Sequence, residues 1–433
     1  MEANLRDIEK KYDLSDLELF NQTISTQRLS FYANKIKQSE SSHLSGSCIR
    51  LIKNNQIGFA AKYGEVNIDE LINTALELYP FSTQTNISFP PQGEKQKATN
   101  GFTENHKNIV GLMKETGKEI TDKLLTVDQN ILTDISFEIV DIKENIKNSR
   151  GLDYSHKNEI YSVSIGIRHT SENDFIEIYT GEYDNKPVNY NNLIDEIIYL
   201  FKPTKNHSKI KNGVFPILFT SKAAKDLFNI IESALNGKEV NNSSSPWTNK
   251  SGEKVLDSKL SISQDPSFGC IKRSLDDEGS IIKKFNLVEN GILKNFYFDI
   301  SSAIKSKTES ESTGNGFKES LTSQPQPALL NMVISSGSKT REEIIKSIDY
   351  GLLIDQTMGG LSANISGDIS VNVDIGFLIE GGRITGRVKD TMVSGNIYNS
   401  LNNVLEISNN PQWHGTNIYC ADILLDKFTV ISR

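Results

Sequence analysis

The spacing of hydrophobic positions changes several times along the chain, and each change marks an element. Ile68, Leu71, Ile72, Ala75 and Tyr79 recur every three or four residues, the period of one helical face. Asn67 stands where that helix would be capped, Glu70 takes the reciprocal capping-box position, and Pro80 ends it. Upstream, after a short charged helix, Asp16–Glu40 and Cys48–Lys62 read as hairpin-like units, the second around Asn54-Asn55. Ser82–Glu104 is polar, contains Pro90-Pro91 and Gly93, and reads as a connecting loop. A second helix is predicted over Asn105–Thr126. Strand-like runs follow at Ile131–Ile146, Glu159–Arg168 and Asp174–Glu182, then a helix that ends before Pro203.

Beyond residue 213 the pattern shifts. Val214–Thr220 is a candidate buried strand, and Leu227, Ile230, Ile231, Ala234 and Leu235 form the apolar face of the helix after it. Strands are expected at Ile281–Asp299 around Asn290-Gly291, at Leu329–Ser335, and at Gly367–Glu380 and Arg383–Ser394, the last two joined through Gly381-Gly382. Thr340 and Glu343 predict a capping box for a helix over Thr340–Asp349. Two polar loops, Val240–Gly252 and Lys305–Pro327, are long enough to be functional; the second is expected to order on binding a partner or peptide. Strands in hairpins without βαβ alternation give an α+β class: an N-terminal α/β region of antiparallel hairpins and helices, then a mostly antiparallel β region. A chain of 433 residues exceeds one core, and the expected domains are 1–92, 105–208 and 209–433.

Composition narrows the function. The net charge of −8, with lysines scattered, argues against a nucleic-acid-binding face. The charged start MEANLRDIEKKYD has no apolar core for a secretory signal, and runs such as Val214–Phe219 are too short to span a bilayer. Cys48, Cys270 and Cys420 are odd in number and scattered, as reduced structural thiols are. The cytoplasm is the expected location.

Common catalytic signatures are missing from the sequence. Gly117-Lys118 and Gly237-Lys238 run into Glu and complete no P-loop, and no G-x-S-x-G elbow occurs. None of His43, His106, His156, His169, His207 and His414 precedes Glu, so neither H-E-x-x-H nor H-E-x-x-x-H exists. His169, Glu172 and Asp174 read as a polar strand end before they read as a metal cluster. Asp276-Asp277-Glu278 ahead of Gly279 could serve acid–base chemistry, but a solvated turn is the commoner use of such a run.

A series of short segments carries more information through its order: Asp277-Glu278-Gly279, Leu287 through Lys294, Ser302-Ala303, Ser312 through Gly316, Glu342 through Ile345 with Gly351, Ser366 through Ser370, Gly376 through Gly382, and Val393 through Asn396. The series resembles the TldD/PmbA family, once called modulators of DNA gyrase. The likeness covers most of the chain and is stronger in the C-terminal half, with Asn148 through Gly151 compatible upstream. TldD-type members of that family resemble zinc peptidases with H-E-x-x-x-H on a helix and a later cysteine ligand; PmbA-type members lack the motif and pair with a TldD-type chain. Aligned on its Ala-Leu-Asn-Gly end, the helix Ser221–Asn236 puts Phe228, Asn229 and Ser233 where His, Glu and His would stand, and a slip of one residue supplies no histidine. Cys420 reads as a core residue, not as the cysteine ligand.

The resemblance therefore implies a PmbA/TldE-like subunit with no catalytic, cofactor or metal residue of its own. Zinc is expected in a TldD-type partner, and unfolded or leader peptides are the expected substrates. Asp277, Glu278 and Asn315 are the candidate residues for a peptide or partner cleft. A peptide-binding or regulatory homodimer is the alternative. An active peptidase using Asp277, Glu278 and His414 carries the least weight. Gly279, Gly314 and Gly395 are expected to serve turns with positive φ.

Overall fold

Turn residues that accept left-handed backbone set up the first half of the molecule. In the computed structural model, which describes residues 5–91, 108–171, 174–306, 311–360 and 364–433, helix α1 (Leu5–Tyr12) precedes strands β1 (Asp16–Tyr32), β2 (Lys35–Lys53) and β3 (Gln56–Tyr63). Ala33 and Asn34 link the first two at φ 50° and 68°, and Asn54 and Asn55 link the next two at 51° and 58°. Positive φ at both central residues gives the turn whose twist matches paired strands. The two expected hairpin units are thus one meander through the shared strand β2.

Helix α2 (Ile68–Leu78) forms as predicted, and the Asn67 side chain accepts the Asp69 N–H. Glu70 does not close the capping box. Its carboxylate pairs instead with Lys62 Nζ on β3, at 2.8 Å. Helix α3 (Ile109–Val127) leads into β4 (Leu132–Asn148), β5 (Asp153–Ser171), β6 (Asp174–Asp184) and helix α4 (Tyr190–Phe201). Strand β4 pairs with β1 from Glu18↔Asn148 to Phe31↔Ile135, which makes one antiparallel sheet in the order β3-β2-β1-β4-β5-β6. Segments 1–92 and 105–208 thereby share a single sheet. Gly93, the start of the 105–126 helix, His106, Glu172 and residues 307–310 lie outside the described residues.

The second half begins with β7 (Gly213–Phe219), α5 (Ser221–Leu235) and α6 (Gly237–Asn241). Short strands follow: β8 (Ile262–Gln264), β9 (Phe285–Glu289) and β10 (Ile292–Leu293). Asn290 and Gly291 make the β9–β10 turn at φ 47° and 78°, with flanking strands much shorter than the expected 281–299 run. Next come α7 (Ile300–Lys305), β11 (Gly316–Phe317), β12 (Gln326–Pro327), β13 (Met332–Ile334) and α8 (Arg341–Lys346), whose capping box between Thr340 and Glu343 forms as predicted. The chain ends with β14 (Tyr350–Thr357), β15 (Asp368–Glu380), β16 (Arg383–Arg387), β17 (Thr391–Asn396), α9 (Ile397–Leu401), β18 (Val404–Ile407), β19 (Gln412–His414), β20 (Ile418–Cys420) and β21 (Ile423–Ser432). Strands β14-β7-β21-β17-β15 form a ring, because β15 pairs back onto β14. Among the described residues two of the strand pairings in this half are parallel, β14–β7 and β13–β20, and the other strand pairings are antiparallel.

Packing fuses the halves. Ile120, Leu124, Ile197 and Phe201 of α3 and α4 belong to one buried cluster with Leu353, Ile375 and Phe377 of β14 and β15. Cys48, Cys270 and Cys420 are buried free thiols. Among the described residues no helix is long and apolar enough to cross a membrane. Because the cluster spans both halves, Phe377→Ala, at a residue with no exposed surface, is expected to cost about 3–5 kcal/mol. Hydrogen exchange should register lost protection in α4 as well as in β14. Loss confined to the C-terminal half would contradict a shared core.

Candidate functional site

Helix α5 begins at Thr220, whose side chain accepts the Ala223 N–H, and ends at Asn236, whose side chain caps α6 through the Lys238 N–H. Its apolar stripe, including Leu227, Ile230, Ile231 and Ala234, lies in the C-terminal core. The helical period puts Asn229, Glu232, Ser233 and Asn236 on the opposite face. That face lines a cavity of about 390 Å³, closed by Tyr297 and Pro327 from other segments.

The three zinc-motif positions divide between these faces. Phe228 is 1% exposed and belongs to the core. Asn229 and Ser233 are exposed at the cavity, and the Ser233 hydroxyl donates to the Asn229 carbonyl at 3.1 Å. A phenyl ring has no donor atom for zinc, and a neutral amide and hydroxyl do not make a zinc set. Cys420 is fully buried against the start of α5, its thiol donating to the Ser221 carbonyl at 3.4 Å. Burial pushes that thiol's pKa up, away from the thiolate a metal needs. The residues present do not fit zinc. Among the described residues, no group of three or more His, Cys, Asp and Glu side chains is placed to hold a metal ion.

Glu232 is the residue that sequence reasoning missed. Burial of its carboxyl pushes the pKa up to about 7, opposed by an N–H from Leu329 at 3.4 Å. Its spacing of three from Asn229 and of four from Asn236 was the available signal; the cavity wall at Pro327 comes from a distant segment.

Asp276, Asp277 and Glu278 form a buried hub and not a solvated turn; their exposures are 0%, 4% and 2%. Asp276 accepts the N–H groups of Glu278, Ser280 and Gly316. Asp277 accepts from Arg273 at 2.7 Å and from the Lys318 N–H at 2.8 Å. Glu278 accepts from Arg50 at 3.0 Å and from the Ile300 N–H at 2.8 Å. Asn315 donates to Gln264 and to the Ala328 carbonyl, and accepts from Thr313. The structure therefore brings Asp277, Glu278 and Asn315 into one region, but inside the protein, with their polar atoms taken up internally. Residues 311–327 are already folded onto this hub: Leu321 is fully buried and β11 pairs with β12. Gly279 and Gly314 have the expected positive φ of 80° and 78°. Gly395 does not. It lies in β17, where a Cβ would come within 2.7 Å of the Phe428 ring.

His414 is separate from that hub. Burial first, then Lys225 and Lys222, lower its pKa to about 3 and keep the ring neutral. His169 faces Asp128, whereas Asp174 pairs with Arg387 and Lys389, in keeping with the polar strand end expected there.

Comparison with known proteins adds a family. The model of the PmbA/TldA metallopeptidase C-terminal domain matches residues 212–432, and that of PmbA/TldA metallopeptidase domain 1 matches residues 17–78. A metalloprotease TldD homolog from Buchnera aphidicola subsp. Acyrthosiphon pisum is 34% identical over 190 residues, 42% of this chain and 38% of its own length. The metalloprotease PmbA homolog of the same organism is 27% identical over 224 residues, 51% of this chain and 47% of its own. The chain thus spans less than half the length of these two relatives. The crystal structure of TldE from Thermococcus kodakarensis has the same fold, with a TM-score of 0.90, 22% identity and 99% of each chain covered.

Arg50 also pairs with the buried Glu18 at 2.8 Å, so removing its guanidinium would leave Glu18 and Glu278 buried without their cation. Arg50→Ala is expected to cost about 3–5 kcal/mol in urea unfolding at neutral pH; a change below 1 kcal/mol would rule out a tightly desolvated pair. Glu232 gives a pH signature of defined sign. A carboxyl whose folded pKa lies near 7, above its unfolded value of about 4.3, binds protons preferentially in the folded state between those limits. Stability from this group is full below pH ~4 and falls as pH rises toward 7. Glu232→Gln should flatten that part of the stability–pH profile, and superimposable profiles would show that the carboxyl titrates alike in the folded and unfolded states.

Proposed function

The chain belongs to the PmbA/TldD family, and from that premise we propose that it is the non-catalytic, PmbA/TldE-type subunit of a heterodimeric zinc metallopeptidase. The substrates of the complex are unfolded or leader peptides, the zinc belongs to a TldD-type partner, and the complex works in the cytoplasm. One observation carries the reading: at the three positions of α5 where a catalytic member needs His, Glu and His, this chain has a core phenylalanine and two neutral polar residues. None of them can supply a Lewis acid site or take a proton from water at neutral pH. The helix keeps its packing and loses its chemistry, as a subunit that shapes a chamber without cutting would.

The test is zinc content and cleavage of an unstructured peptide, measured for the purified chain alone and for the chain co-expressed with a TldD-type chain. The expected result is metal and cleavage only in the co-purified complex. Stoichiometric zinc and cleavage by this chain alone would overturn the reading. A stable homodimer that ignores the TldD-type chain would favour a peptide-binding or regulatory protein acting without a peptidase partner.

A further inference from the structure

A second cavity, of about 850 Å³, opens between β6, α4, the start of α8 and the segment 409–413 that runs into β19. Its charge is one-sided. Glu182, Asp195, Glu196, Glu342 and Asp422 line it together with a single cation, Arg341. That guanidinium is already committed, at 2.7 Å to Asp422 and 2.8 Å to Glu196. Glu182, Asp195 and Glu342 have no ion pair among the described residues. Trp413 and Tyr419 form part of the wall, with ring centroids 5.0 Å apart, and Phe268 packs on both. Carboxylates beside aromatic faces suit a cation on a flexible stem: the charge meets the acids and the stem lies along the rings.

The backbone at the mouth adds a second, independent feature. Strand β6 is an edge strand, and its odd-numbered residues turn their main-chain groups away from β5. Over the first half of β6, side chains of the C-terminal region take up four of those groups. The Phe175 carbonyl accepts from Arg387, the Glu177 carbonyl from Gln356, and the Tyr179 carbonyl from Lys222, while the Tyr179 N–H donates to Gln356. The period of two makes Gly181 the next outward residue. Gly181 lines the cavity, is exposed, and among the described residues has no recorded partner for its outward groups. A glycine in an edge strand lets another backbone come close.

We propose that this cavity is a docking site for an extended peptide, which adds to β6 at Gly181 and places a Lys or Arg side chain between the carboxylates and the Trp413–Tyr419 wall. The assignment rests on the reading of the chain as a subunit that handles unfolded peptides, and it adds a preference for basic residues.

Fluorescence anisotropy of the full chain with labelled, unstructured heptapeptides, identical except for a central Lys, Ser or Glu, tests it. The Lys peptide is expected to bind about tenfold more tightly than the Ser peptide, the Glu peptide most weakly, and the gap should narrow as salt screens the charges. The triple variant Glu182→Gln, Asp195→Asn, Glu342→Gln, checked for an unchanged unfolding midpoint, should bring the Lys peptide to the Ser level and leave the Ser peptide unaffected. N-methylation of the amides flanking the Lys should weaken binding to the wild-type chain. Equal binding of the three peptides, no binding by any, or a Lys preference that survives in the triple variant would overturn the proposal. Cleavage of the Ser peptide by the co-purified complex reports on the subunit reading separately, so either can fail without the other.

Discussion

A buried guanidinium holds the two halves in register. Arg50 is 3% exposed; it grips Glu18 with two bonds of 2.8 and 2.9 Å and reaches Glu278 at 3.0 Å, more than two hundred residues away. Its Cζ lies 4.9 Å from the Phe89 ring centroid. Desolvating these charges costs several kcal/mol per ion, so the arrangement holds only where the geometry is near ideal. Arg273 repeats the device, joining Glu144 of β4 to Asp277 beside a His156 ring whose pKa burial lowers to about 4. Two cations thus bind the N-terminal sheet to one short acidic turn. The remaining carboxylate oxygens of that turn then fix residues 311–328 through main-chain N–H groups.

The consequence reaches α5. The fixed segment runs on to Pro327, whose carbonyl accepts from Asn236, and to Leu329, whose N–H meets Glu232. The wall of the cavity on the polar face of α5 is therefore positioned by charges that never touch it. The Glu232 carboxyl owes its raised pKa to this wall, because the segment that shields it from water offers only one long hydrogen bond in return.

What could be read from the sequence follows the same division between local and distant causes. The Asn54-Asn55 and Gly381-Gly382 turns, the Asn67 cap and the Thr340–Glu343 capping box each depend on neighbours within a few residues, and all formed. The family was equally legible, since the ordered segments of the C-terminal half that carry the likeness are read directly from the sequence. The acidic turn was misread because its partners, Arg50 and Gly316, are remote in sequence. Polarity near 305–327 suggested a segment awaiting a partner, yet among its described residues Asn315, Gly316 and Lys318 are anchored by Gln264, Asp276 and Asp277 of the same chain. Glu70 shows the rule at short range: its local role was outcompeted by Lys62 on the adjacent strand. Gly395 shows it in packing, where Phe428 and not the backbone angle demands the missing side chain.

The edge of β6 brings these threads together. An unpaired edge invites association with any extended chain, including another copy of the same protein. Arg387, Gln356 and Lys222 take up the outward carbonyls of Phe175, Glu177 and Tyr179 and the Tyr179 N–H, so side chains from the C-terminal region compete with pairing there. Among the described residues nothing covers Gly181 in this way, and carboxylates surround the opening instead. For a chain with a net charge of −8, that ring of acids repels further copies of itself. The same charge attracts a cationic segment. Side-chain cover along one half of the strand and charge around the other half convert a general liability into a selective opening, and both depend on the C-terminal region being held against the sheet by the shared apolar cluster together with Arg50 and Arg273.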